Sequence, residues 1–183
     1  ATQSRDPLKG PLRVGVIYTI APYLLPALIP VLHKIAPDMP LFIREDFTAN
    51  LLPALKAGEL DVIVLALPVD VPGIVSQRIY EEPFRVVVPA THAWASRTSV
   101  KNDELSGEQL LLLGSGNCFR DQVLEACPRL QSAEGLYGSL EGSSLETIRH
   151  MVASGAGIAV MPSSAADPLI EREPMVKVLP FSG

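Results

Sequence analysis

Apolar residues in the first third of the chain recur with two different periods. β-branched residues dominate Leu12 to Tyr18, which predicts a short strand, and leucines and isoleucines at helical spacing predict a helix over Pro22 to Ala36. Leu41 to Phe47 alternates apolar and polar residues, as a half-buried strand does. Asp61 to Leu67 is a continuous apolar run, which predicts a strand buried on both faces. Repeated strand–helix units of this kind favour an open, mainly parallel sheet.

Two threonines follow predicted strands. Thr19 comes directly after the first strand, and Thr48 can cap a second helix that Gly58 closes. Ligands in open α/β sheets bind at the carboxyl ends of the strands, so both threonines are also candidate ligand contacts. On the residues alone, capping of the helix that follows is the favoured role for each threonine.

The second half of the chain repeats the alternation after a change of composition at residues 80–84. Further strands are predicted at Phe84–Val88, Gln109–Leu113 and Gly157–Met161. The sequence therefore predicts an α/β fold of two lobes. We expect a linker remnant at 1–11, a first lobe at 12–81, a second lobe at 82–183, and a ligand cleft between the lobes.

The ends of two helices in the second half of the chain are indicated by capping residues, glycine or proline. One is predicted from Asn117 to Cys127, where Pro128 ends it. The other opens at Ser143 with a glutamate three residues later, which is a capping box, and Gly155 can stop it.

The charge and hydropathy of the chain limit the partners that it is expected to bind. Among its 183 residues the formal net charge is −5 and no cluster of four or five basic residues occurs, so this segment is not expected to bind DNA by itself. No apolar run approaches the roughly 18 residues of a membrane span, and the polar N-terminus has no signal-peptide core. Two cysteines without an export signal indicate a reducing, cytoplasmic compartment.

Cys118 and Cys127 lie nine residues apart on one predicted helix. The rise along the axis would be roughly 13 Å, and nine steps of about 100° would place the side chains on opposite faces. Because a disulfide needs Cα atoms within about 7 Å, the pair cannot bond while the helix is intact. Formation of the bond would require the segment to refold, as a two-state redox switch does.

The position of each cysteine suggests a different role. Cys118 falls in the first turn, where the helix dipole and free amides stabilise a thiolate, and Arg120 could add positive charge. Cys127 ends the helix behind an apolar stretch and would attack a sulfenic acid on Cys118. Two buried, unreactive thiols are the favoured alternative on the residues alone. The pattern disfavours a metal site or a thioredoxin-type site, since no other ligands cluster nearby and no Cys-x-x-Cys occurs.

The segment Leu111 to Pro128 resembles the redox segment of the OxyR-type hydrogen-peroxide sensors, a branch of the LysR-type transcription regulators. The matched features are Gly116, Cys118, Arg120-Asp121-Gln122 and Cys127. Similarity extends over about residues 11 to 180, through Val16 to Pro26, Gly58 to Asp61, Ser144 to Arg149 and Gly155 to Ile158.

This resemblance implies two Rossmann-like lobes of the periplasmic-binding-protein type, joined to an N-terminal helix-turn-helix domain that binds DNA and is absent from this chain. It implies that peroxide oxidises Cys118 to a sulfenic acid and that Cys127 then closes a disulfide. The refolded segment would rearrange a homodimer of this domain within a homotetramer. It also implies a peroxide pocket lined by Thr19, Thr48, Gly116, Asn117, Arg120 and Asp121, with no cofactor, metal or membrane involved.

Two departures from the family pattern bear on these expectations. Asn117 stands where the family usually has histidine; asparagine donates a hydrogen bond but cannot shuttle a proton. The family continues past Gly183 with a strand that carries a pocket arginine and a final helix, so the first lobe is expected to lack its C-terminal part. Two other functions stay open: a LysR-type domain that binds a small metabolite, with incidental cysteines, and a thiol peroxidase. The expected function is regulatory and not enzymatic.

Overall fold

The computed structural model describes residues 8–128 and 140–182 of the chain. It divides into two compact units, Ala1–Arg78 and Ile79–Gly183. The boundary expected from the sequence, between residues 81 and 82, lies three residues further on. No helix among the described residues is both long and apolar enough to cross a bilayer.

A three-stranded parallel sheet with strand order β2-β1-β3 forms the centre of the first unit. Its elements are β1 (Leu12–Val16), α1 (Ala21–Ile35), β2 (Leu41–Glu45), α2 (Thr48–Lys56) and β3 (Val62–Val64). Gly15 in the central strand permits the close packing of α2, because an added Cβ would lie 2.8 Å from side-chain atoms of Leu51 and Leu60. The predicted strand–helix alternation is confirmed here, and so is the parallel pairing.

The expectation that the third strand is buried on both faces is wrong. β3 pairs only with β1 among the described strands, so it lies at the edge of the sheet. Val62 is accordingly 44% exposed. An apolar run alone does not distinguish a central strand from an edge strand, because each has the same intrinsic preference.

The second unit contains a mixed five-stranded sheet with strand order β6-β5-β7-β4-β8. Its strands are β4 (Phe84–Pro89), β5 (Leu110–Leu113), β6 (Leu140–Gly142), β7 (Ile158–Pro162) and β8 (Val176–Pro180). The helices are α3 (Cys118–Ala126), α4 (Leu145–Ala153), α5 (Ser163–Ala166) and α6 (Leu169–Arg172), with 3-10 helices at Ala93–Ser96 and Asn102–Gly107. β5 runs parallel to β6 and β7, whereas β4 runs antiparallel to β7 and β8. The expected mainly parallel arrangement therefore holds for the first unit and for only part of the second.

The N-cap of α4 lies one residue later than the sequence indicated. Ser144, and not Ser143, is the N-cap, and its hydroxyl accepts a hydrogen bond from the Thr147 amide at 3.1 Å. The predicted capping box is wrong, because the third residue after this N-cap is Thr147 and not Glu146. Gly155 has φ +84° just after the helix, in the left-handed region that favours glycine, as the sequence predicted.

Candidate functional site

Both cysteines lie on α3, the helix that follows β5. Gly116 adopts φ +93°, and Asn117 is the N-cap in an extended conformation. The helix starts at Cys118, ends at Ala126, and has Cys127 as its C-cap. The predicted helix is thus confirmed to within a residue at each end.

The two thiols have different surroundings. Cys118 is half-buried in the first turn, and Cys127 is only 3% exposed. Phe119, Val123 and Cys127 are four residues apart and share the buried face of α3, so Cys118 lies on the opposite side. Burial raises the pKa of the Cys127 thiol above its ordinary value. The two cysteines form no disulfide with each other, as expected for an intact helix that holds them roughly 13 Å apart along its axis.

One ring contact and three hydrogen bonds fix α3 to the rest of the second unit. The Phe119 ring packs edge-on against Phe84 with 5.1 Å between ring centroids. Arg120 donates from Nη1 to the Leu113 carbonyl oxygen at 2.7 Å and to Glu141 Oε1 at 2.6 Å. The Asn102 side-chain amide donates to the carbonyl oxygen of Ala126, at the other end of the helix, at 3.1 Å.

Arg120 pairs with Glu141, and its supply of positive charge to Cys118 stays a prediction. The guanidinium group is bound by a carboxylate and a carbonyl oxygen of the neighbouring strands, which balance its charge. In this structure Arg120 anchors the helix to the sheet.

The remaining predicted site residues of the second unit surround the start of α3. Asn117 donates from its side-chain amide to the Gly114 carbonyl oxygen at 3.0 Å. Gly116 and Asp121 are exposed, on the turn and in the first helical turn. The fold therefore brings Gly116, Asn117, Arg120 and Asp121 together beside Cys118. Contact with peroxide stays a prediction for all four.

The two threonines lie in the first unit and cap neither helix by their side chains. Thr48 is the first residue of α2; its N-cap is Phe47, whose amide donates to the Asp46 carboxylate at 2.8 Å. Thr19 precedes Ile20, the N-cap of α1, and no side chain caps that helix end. At 7% exposure, Thr19 is the one polar residue buried among those the structure describes. Capping, the role favoured by the residues alone, is thus wrong for both.

The sequence pattern did not indicate the residues that contact α3 from other elements, which are Phe84, Asn102 and Glu141. Asn102 and Glu141 lie 24 and 21 residues from their partners, so no local spacing reveals these contacts. Within residues 8–128 and 140–182 no group of three or more metal-ligating side chains occurs.

The family resemblance implied an α/β fold of two lobes with both cysteines in the second, and the two α/β units of the structure agree with it. The LysR substrate binding domain family matches residues 5–183, and the chain belongs to this family.

Similar solved structures define the class of protein more closely. The reduced form of the OxyR regulatory domain from Pseudomonas aeruginosa is 50% identical, with a TM-score of 0.86 over 96% of this chain and 84% of that one. A cysteine variant of OxyR from Corynebacterium glutamicum, bound to H2O2, is 34% identical with a TM-score of 0.86, covering 96% of this chain and 55% of that one. These similarities identify the chain as a regulatory domain of the OxyR type.

Curated relatives agree and show how much of a longer protein the chain represents. The DNA-binding transcriptional dual regulator OxyR of Escherichia coli K12 is 37% identical over 176 residues, which is 96% of this chain and 57% of that protein. A probable hydrogen peroxide-inducible genes activator of Mycobacterium leprae is 38% identical over 91% of this chain and 53% of its own length. The chain thus spans little more than half the length of the curated relatives it matches.

Proposed function

We propose that this domain senses hydrogen peroxide in a LysR-type transcription regulator, with Cys118 as the peroxide-reactive thiol and Cys127 as the resolving thiol. One observation carries the proposal: a single helix presents an accessible thiol at its N-terminus and a protected thiol on its opposite, buried face. This arrangement separates the first oxidation from disulfide closure, because Cys127 cannot approach Cys118 until α3 unwinds.

The chemistry has two balanced steps. The Cys118 thiolate attacks one peroxide oxygen, the O–O bond breaks, and the leaving hydroxide takes a proton to become water; Cys118 becomes a sulfenic acid. The Cys127 sulfur then attacks the Cys118 sulfur and displaces the hydroxyl group, which leaves as a second water once protonated. One disulfide therefore forms for each molecule of peroxide that is reduced.

The polar groups around Cys118 would orient the peroxide. We assign Gly116, Asn117, Arg120 and Asp121 to this pocket. Asn117 already donates to Gly114, and the other hydrogen of its amide is suited to a peroxide oxygen. An asparagine cannot supply the proton for the leaving hydroxide, so that proton must come from water or another side chain.

In the whole protein, the refolded α3 would rearrange a homodimer of this domain within a homotetramer, and a helix-turn-helix domain would bind DNA. The regulator would act in the cytoplasm and consume peroxide stoichiometrically, not as an enzyme. The relatives, which are transcription regulators including peroxide-inducible activators, support this assignment.

Peroxide titration of the reduced domain, with free-thiol counting and intact-protein mass measurement, tests the proposal. The wild type should lose two thiols per peroxide consumed. Cys127→Ser should gain one oxygen at Cys118, and Cys118→Ser should stay unmodified at modest peroxide excess. Persistence of both wild-type thiols would favour a metabolite-binding domain. Consumption of many peroxide equivalents with a thiol reductant would indicate a thiol peroxidase.

A further inference from the structure

We infer that two tethers, one at each end of α3, determine how readily the Cys118–Cys127 disulfide closes after Cys118 has reacted with peroxide. The first tether is the Asn102 side-chain amide on the Ala126 carbonyl oxygen; the second is the Glu141 carboxylate on Arg120. This inference rests on the proposed function and assigns Asn102 and Glu141 as positioning residues for its second step.

The Asn102 tether holds the end of the helix next to the resolving cysteine. The last carbonyls of a helix have no partner within the helix, and here the Ala126 carbonyl receives one from another element. That element, the 3-10 helix Asn102–Gly107, is itself well anchored. Leu105 is fully buried, and the Glu104 carboxylate binds both the Arg97 guanidinium at 2.8 Å and the Lys101 amide at 2.8 Å.

The Glu141 tether holds the other end of the helix. Arg120 reaches from the first turn of α3 to the Leu113 carbonyl oxygen on β5 and the Glu141 carboxylate on β6. These strands are paired in parallel, Leu113 opposite Gly142, so both acceptors belong to one rigid part of the sheet. The arginine side chain is mostly shielded from solvent, which makes its ion pair stronger than one on the open surface.

Closure of the disulfide must disrupt at least one tether. The cysteines are roughly 13 Å apart along the helix axis and must approach within about 7 Å between Cα atoms. The ends of the segment therefore approach by about 6 Å, which is far more than a hydrogen bond can stretch. Oxidation of Cys118 needs no such movement, because its sulfur lies in the accessible first turn. The tethers thus stabilise the reduced state against the second step alone.

The test compares tether variants with a matched control. Asn102→Ala and Glu141→Ala each remove one tether. Glu146→Ala is the control, since Glu146 is 52% exposed and pairs with Arg149 on α4, whereas Glu141 is 53% exposed and pairs with Arg120. Asn102→Asp keeps the size of the side chain but cannot donate, and it replaces Asn102→Ala if that variant does not fold.

Rapid-quench oxidation with thiol trapping and mass spectrometry measures both steps in the reduced domain. We expect closure about fivefold faster in the tether variants, since such a hydrogen bond contributes on the order of one kcal/mol. Sulfenic acid formation should be unchanged in the Asn102 variants, because Asn102 binds the far end of the helix from Cys118. The reduction potential of the pair should become more negative by about 20 mV, because the reduced form alone loses stability. The control should match the wild type in both measurements.

The outcomes separate this inference from the proposed function. If the wild type forms no Cys118–Cys127 disulfide, both fail. If it does, but the closure rates and potentials of all tether variants equal those of Glu146→Ala, the tethers have no such role and the peroxide-sensing proposal stands. In Asn102→Ala, faster closure accompanied by an equal change in sulfenic acid formation would also overturn the inference, since it would place the effect on the first step.

Discussion

Substitution of Phe119 by alanine should destabilise the reduced domain more than the disulfide form. The ring is 6% exposed and packs edge-on against Phe84. Removal of such a ring costs about 3 to 5 kcal/mol in the free energy of unfolding. In the disulfide form α3 cannot persist, so part of this packing is already lost. If half of the cost is spared there, the two forms differ by about 2 kcal/mol, and the reduction potential falls by about 40 mV.

Urea unfolding of both redox forms, together with equilibration against a glutathione buffer, measures these two quantities. Leu179→Ala is a suitable control, because Leu179 is buried on β8, at the opposite edge of the sheet from β6. That variant should lose about 2 to 5 kcal/mol in both forms and keep the wild-type potential. Equal destabilisation of both forms by Phe119→Ala, at an unchanged potential, would refute the view that α3 unwinds on oxidation.

Three further predictions concern the second unit. Because burial raises the pKa of Cys127, the reduced fold holds the thiol proton more tightly than the unfolded chain does. The free energy of unfolding should therefore fall as pH rises above about 9.0, and urea titrations of Cys127→Ala should show a smaller fall. Arg97 lowers the pKa of Glu104 from 4.5 to about 2, so this carboxylate stabilises the fold above pH 4.5 and loses that contribution as pH falls towards 2. In acid unfolding, Glu104→Gln should therefore lose less stability than the wild type between pH 4.5 and 2. Gly157→Ala should lower the melting temperature, since its Cβ would collide with the Gln109 carbonyl oxygen, which is backbone and cannot move aside.

The boundaries of α3 were predictable because both ends carry local signals. Glycine and asparagine precede Cys118, and Pro128 follows Cys127, so the helix could be placed to within one residue. The opposite-face placement of the two thiols followed from helical geometry alone. These properties depend on neighbouring residues, which the sequence displays directly.

Other properties depend on distant residues and were not predictable. Thr48 resembles an N-cap, but the N-cap is Phe47 and Thr48 lies inside the first turn. The Asp46 carboxylate accepts hydrogen bonds from the Phe47 backbone amide and the Asn50 side-chain amide. The ion pair of Arg120 with Glu141 was not predictable either, because the position of Glu141 depends on how β6 pairs with β5. Strand order likewise made β3 an edge strand, although its sequence is that of a buried one.

The nine-residue spacing on α3 limits which insertions and deletions this segment can accept. Loss of two residues between the cysteines would turn Cys127 by about 200°, onto the same face as Cys118. Both thiols would then be accessible or both protected, and the difference between them would vanish. Loss of four residues would leave them about 140° apart and preserve most of that difference. Tolerated length variants should therefore change the spacing by approximately whole turns, even though the helix itself would form at any of these lengths.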